Sequence, residues 1–253
     1  MEERITSRKN PFLQQVKKLL SSRKAREEAG LFVSDGTKLL QEAVKYDPGL
    51  HTVVLSDGVS ADVPDNVRVI RVPEDVMASI SPMETPQGAL FLCKLPQKQA
   101  FAPQKGMLLL DGIQDPGNLG TIIRIADWFG IEDIFCSVGT ADIYNPKTIQ
   151  ATMGAIARVK VHYVDLPSFI ASLKGKAPIY GTFLDGDNIY SKNLESNGLI
   201  IMGNEGNGIG KECSEYVTER LFIPNYPVGR ATSESLNVSV ATAIICSEFR
   251  RRG

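Results

Sequence analysis

Residues 107–129 read MLLLDGIQDPGNLGTIIRIADWF, and their pattern decides the fold class. The opening MLLL is apolar without a break, as a strand buried on both faces must be. From there Ile122, Ile123, Ala126 and Phe129 recur at helical spacing, which predicts a helix over 119–129. Between strand and helix, Pro116 and Gly117 turn the chain and Asn118 offers an N-cap side chain. A buried strand, a polar turn and an amphipathic helix make the repeating unit of a parallel α/β sheet.

Toward the C-terminus that unit recurs. Strands are expected at 133–136, 159–164, 179–183, 198–202 and 221–223, with helices at 146–157 and 168–173. The stretch 233–252, SESLNVSVATAIICSEFRRR, reads as a closing helix. Ser233, Ser235 and Asn237 crowd its start, Leu236, Val240, Ala243 and Ile244 form its apolar stripe, and Arg250, Arg251 and Arg252 suit its end. Toward the N-terminus, a basic helix from Asn10 carries Phe12, Leu13, Val16, Leu19 and Leu20. A strand at 31–34, a helix opened by Asp35, strands at 51–55 and 67–72, a helix at 73–80 and a strand at 88–93 follow. The expected division is therefore a small α/β domain at 1–95, a proline-containing linker at 96–105 and a parallel-sheet domain at 106–253.

Composition narrows the function classes. The formal net charge is −1, so no global basic field points to nucleic acid. Yet Arg4, Arg8, Lys9, Lys17, Lys18, Arg23, Lys24 and Arg26 gather at the start, which suits RNA or phosphate contact as well as a solvated helix face. Cys93, Cys136, Cys213 and Cys246 lie far apart, which argues against a zinc site or a disulfide framework. No apolar run approaches membrane-spanning length, and a reducing cytoplasm is the expected location.

Parallel sheets bind ligands at the carboxyl ends of their strands. Polar turns fall there: 111–118 with Arg124 beyond it, 203–210 (GNEGNGIG), and 223–237. Arg124 could clasp a phosphate, or simply pair with Asp127 or Asp133. The glycine turn is neither GxGxxG nor a P-loop, and Glu205 would repel a pyrophosphate; a ribose hydroxyl or a neutral or cationic ligand fits better. His51 and His162 stand outside these turns, so a serine–histidine hydrolase is not indicated. What remains is chemistry in which the ligand brings the reactive group and the protein orients it.

Asn118-Leu-Gly120 with Arg124, Gly203-Asn-Glu205-Gly206 with Gly208, and Ile223-Pro224 with Ser235-Leu-Asn237-Val-Ser-Val-Ala241 resemble the three ordered motifs of the SpoU (TrmH-like) family. These are RNA ribose 2′-O-methyltransferases of the SPOUT class, and the resemblance covers about 106–252. The first domain resembles the family's L30e-like substrate-binding domain through Arg23-Lys-Ala-Arg26 and Gly30-Leu-Phe-Val, with Asp35-Gly36 where Glu-Gly is usual. The resemblance implies a trefoil knot, against the general rule that chains do not knot. It also implies a homodimer, S-adenosylmethionine as cofactor, and RNA as substrate, 23S ribosomal RNA ahead of transfer RNA.

By position, Gly203, Ile223 and Leu236 would hold the cofactor mainly through backbone, with Thr182, near the end of its strand, as a further candidate. Asn118, Arg124, Glu205, Ser235 and Asn237 would form the reaction centre. Family accounts make the arginine the base, yet a guanidinium hardly deprotonates below about pH 12. Arg124 is therefore expected to fix the target phosphate, and to act as base only where its surroundings favour the neutral form. Asn118 and Ser235 would orient the ribose, while Glu205 and Asn237 hold Arg124 and the loops. The link from Pro224 to Ser235, with Tyr226, Pro227 and Arg230, is longer than the family's usual one. Two readings from other classes stay open on sequence: a nucleotide-dependent oxidoreductase and a catalytically silent RNA-binding module.

Overall fold

The computed structural model describes residues 3–47, 49–96, 106–227 and 230–251. Most of the expected linker, and Arg252, lie outside them. The chain forms two compact units, Met1–Ala100 with Asp142–Arg158, and Phe101–Ala141 with Val159–Gly253.

The first unit runs β1 (Glu3–Arg4), α1 (Pro11–Ser21), α2 (Arg23–Ala29), β2 (Leu31–Asp35), α3 (Thr37–Tyr46), β3 (Leu50–Ser56), β4 (Arg68–Val72), α4 (Glu74–Ile80) and β5 (Ala89–Lys94). The helix expected from Asn10 ends at Ser21, and α2 follows it directly from a cap of its own: Asn10 accepts from the Phe12 N–H and Ser22 from the Ala25 N–H. The sheet order is β1-β4-β3-β5-β2, with β5 antiparallel to both neighbours. Leu13, Val16, Leu19, Val76, Met77 and Ile80 fill one apolar cluster. Leu39, Leu40 and Ala43 fill a second, which Ile149 and Ile156 of the 142–158 stretch complete. Asp35 does not open a helix; it closes β2, buried, and α3 begins only after Gly36 has turned the chain at φ +124°. Arg26 is no RNA contact either. It is buried, donating to the Leu19 carbonyl at 2.6 Å and to Asp142 at 2.5 Å.

Beyond residue 106 come β6 (Leu108–Leu110), α5 (Pro116–Trp128), β7 (Asp133–Ser137), α6 (Pro146–Thr152), β8 (Lys160–Val164), α7 (Leu166–Leu173), β9 (Ile179–Asn188), β10 (Leu199–Met202), α8 (Lys211–Ser214), β11 (Glu219–Phe222) and α9 (Val238–Arg251). All but α6 belong to the second unit. Its six strands are all parallel, in the order β11-β9-β10-β6-β7-β8. The chain leaves β6 toward β7 and β8, then returns to place β10 on the other side of β6. The sheet's switch point therefore lies between β6 and β10, the place where parallel α/β sheets form their ligand crevice beyond the carboxyl ends of the strands. Among the described residues no helix is long and apolar enough to cross a membrane.

The last helix corrects an expectation. It starts at Val238 and buries Val238, Thr242, Ile245, Cys246 and Phe249, whereas Leu236 and Val240 are about half exposed and Ala243 and Ile244 only partly covered. Both sets recur at helical spacing, so periodicity alone could not choose between them. Packing against α5 does, and Arg250 fixes the pair by donating to the Phe129 carbonyl at the end of α5, 2.7 Å away.

Candidate active site

The first turn leaves β6 at Asp111. Asp115, not Asn118, caps α5: its carboxylate accepts the Asn118 N–H at 2.9 Å, and Pro116 takes the first helical position. Proline at that position loses no hydrogen bond and arrives with helical φ, so the helix begins three residues earlier than its apolar spacing suggested. The consequence is chemical. The Asn118 side chain is spared for other partners, donating Nδ2 to Glu205 Oε1 at 3.0 Å and accepting from Asn237 Nδ2 at 3.0 Å. One amide thus joins residues from all three polar turns.

The second turn leaves β10 at Gly203. A Cβ there would lie 2.2 Å from the Gly208 carbonyl carbon, so only glycine lets the loop fold back on itself. Asn204 and Gly208 then exchange backbone hydrogen bonds at 2.9 Å. Two residues to which sequence reasoning assigned no role bolt this loop to the first turn. Asn204 donates Nδ2 to the Gly112 carbonyl at 2.6 Å, and Asp111 accepts the Gly210 N–H at 2.8 Å. The signal available was a short polar side chain just past each buried strand, Asp111 one residue after β6 and Asn204 two residues after β10. Glu205, carried over the crevice, accepts from the Gln114 N–H at 3.1 Å and the Asp115 N–H at 3.2 Å besides Asn118. Partial burial pushes its carboxyl up, but the bonds from Asn118, Gln114 and Asp115 outweigh that and hold it below the ordinary glutamate value. It stands ionised, with both oxygens engaged.

The third turn ends at Asn237, whose Oδ1 accepts the Ser239 and Val240 N–H groups at 3.0 and 3.3 Å and so caps α9. Ser235 and Leu236, just before it, are exposed, and among the described residues no acceptor takes the N–H of Ser235, Leu236 or Asn237. Ile223 follows β11, half-buried, and the Thr182 hydroxyl donates to the Ile201 carbonyl at 3.3 Å. Arg124 stays outside this network. It is exposed on α5 and makes no hydrogen bond or ion pair among the described residues, neither to Glu205 nor to Asn237. Asp133, its alternative partner from spacing, bonds His162 instead at 2.7 Å. The candidates divide into a brace (Asn118, Glu205, Asn237) and two unengaged groups (Arg124, Ser235).

The architecture defines a class: a parallel α/β domain that takes its ligand at the carboxyl edge of a switch point. The chain belongs to the SpoU rRNA methylase family, whose model matches residues 105–247. A model described as MRM3-like substrate binding domain matches residues 10–90. The 23S rRNA (guanosine(2553)-2′-O)-methyltransferase of Bacillus subtilis is 34% identical, over 98% of this chain and 99% of its own. A TrmH-family protein from Porphyromonas gingivalis is 37% identical with a TM-score of 0.84, over 95% of this chain and 97% of its own. The AdoMet-bound rRNA methyltransferase from Sinorhizobium meliloti is 27% identical with a TM-score of 0.85, over 99% and 98%.

Proposed function

We propose that this chain is an S-adenosylmethionine-dependent RNA ribose 2′-O-methyltransferase acting on 23S ribosomal RNA in the cytoplasm. The observation that carries this reading is the Asn237–Asn118–Glu205 chain of hydrogen bonds, which gathers the three family motifs at one crevice. The residues present fit the cofactor: the backbone N–H groups of Ser235–Asn237 have no acceptor among the described residues, and Leu236 and Ile223 add apolar side chains that are not fully buried, donors and surface of the kind an adenine needs. Gly203, Ile223 and Leu236 would hold it, with Thr182 alongside, and when bound it supplies a methyl group already activated as a sulfonium.

The rest is done by this chain's own side chains. Arg124 presents an unengaged fork to the target phosphate, and the Ser235 hydroxyl orients the ribose. The brace keeps the turns in register, and the ionised Glu205 preserves it rather than exchanging protons. A homodimer through α5 and α9 is supported by the exposed Trp128 on α5 and Val240 on α9, two helices that pack together. The trefoil knot is supported by the return of α9 to α5 after β9, β10 and β11 have been laid beyond β6.

The test is transfer of labelled methyl to total RNA from cells lacking the protein, with the modified nucleotide mapped. A single 2′-O-methyl in 23S rRNA is expected, and a site in transfer RNA would redirect the substrate. Arg124→Ala should lower transfer at least a hundredfold while calorimetric affinity for S-adenosylhomocysteine stays within about twofold.

A further inference from the structure

The loop between β11 and α9 holds a feature the reaction centre leaves unused. Tyr226 is 89% exposed, more than any other large apolar side chain among the described residues, and its ring and hydroxyl meet no partner there. The turn displaying it is nevertheless tied. Asn225 donates Nδ2 to the Arg230 carbonyl at 3.0 Å and to Thr232 Oγ1 at 3.3 Å, and the Arg230 N–H reaches the Pro227 carbonyl at 3.1 Å. Arg230 is itself exposed, its guanidinium without a partner among the described residues. Both ends of the loop belong to the crevice: Ile223 at one, and Ser235 and Asn237 at the other.

An aromatic ring held in water by a braced turn, with a cation four residues on, matches single-stranded nucleic acid. The ring offers a stacking face, and the guanidinium a phosphate partner. We propose that Tyr226 stacks on an unpaired nucleobase next to the methylated nucleotide, with Arg230 on the adjoining phosphate, so that this lengthened loop is a substrate-selecting element. The inference rests on the RNA methyltransferase reading above. A contact of this kind is made before and during transfer alike, so it lowers KM without changing kcat.

Tyr226→Ala, Tyr226→Phe and Arg230→Gln separate the possibilities, measured with unmodified 23S rRNA. Stacking predicts a KM for RNA raised about tenfold or more in Tyr226→Ala, with kcat and S-adenosylhomocysteine affinity kept, and near-normal behaviour in Tyr226→Phe. Arg230→Gln should raise KM and flatten its salt dependence. An unchanged KM in Tyr226→Ala, equal loss in Tyr226→Phe, or a fall in oligomeric mass in Tyr226→Ala would each overturn the proposal, the last by giving the ring to a second copy of the chain. Failure of the wild-type protein to methylate any RNA would overturn the catalytic reading alone, since filter binding of RNA to wild type and Tyr226→Ala still reads the stack.

Discussion

At the scale of single residues, the site turns on which side chain caps α5. Because Asp115 does so, Asn118 can bridge Glu205 and Asn237. The Asp-Pro pair was visible in the sequence, but Asn118 is an equally good cap by residue type, so type alone misplaced the helix start. In Glu205→Gln an amide nitrogen must face either the Gln114 N–H, or the Asp115 N–H together with the Asn118 amide, and one acceptor is lost. Methyl transfer is expected to fall at least tenfold, and the Gln114 and Asp115 amides should exchange faster with deuterium; wild-type protection in the variant would contradict the brace. Glu205 also sets a sign. Its folded value lies below the unfolded one near 4.3, so its contribution is present above that pH and lost on acidification.

Asp35 behaves in the opposite sense. Burial pushes its carboxyl up, the Ser81 hydroxyl at 2.5 Å offsets only part of this, and its Oδ1 has no partner among the described residues. The unfolded chain ionises first, so stability falls as pH rises from about 4 to the raised folded value, by at most about 1.4 kcal/mol per pH unit. Asp35→Asn should remove that fall, so its stability relative to wild type grows with pH over this window in urea titrations. Parallel pH profiles for the two proteins would count against it.

At the scale of elements, the alternation of strand and helix was legible because a strand buried on both faces has to be uniformly apolar. The orientation of α9 was not, since nearly every side of it carries apolar residues. Asn237 links cap and site, and a conservative change separates the two. Asn237→Asp keeps the oxygen that caps α9 and adds charge favourable at a helix N-terminus, but loses the donor to Asn118. Thermal stability should hold to within about 1 kcal/mol while transfer drops. Asn237→Ala should lose both. Equal stability losses in the two variants would mean that the cap and the bridge cannot be told apart.

At the scale of the whole molecule, the division read from the chain as 1–95, linker and 106–253 differs from the compact units, because the 142–158 stretch packs with the N-terminal strands. Nothing in its composition announces this, as an amphipathic turn fits any sheet; only the three-dimensional partners of Ile149 and Ile156 reveal it. The stretch also supplies Asp142, which meets the guanidinium of Arg26 in a pair whose side chains are 6% and 19% exposed. Among the described residues Arg26 Nε already lacks an acceptor, so removing the carboxylate leaves a buried cation with only backbone carbonyl partners. Asp142→Ala should therefore cost about 3–5 kcal/mol in urea unfolding, and Arg26→Met in the same chain should recover most of it. A fragment ending at residue 95 loses the carboxylate and both isoleucines at once, and is expected to unfold broadly rather than in one sharp step. If that fragment melts as cooperatively as the full chain, 142–158 is only resting on a domain that is complete without it.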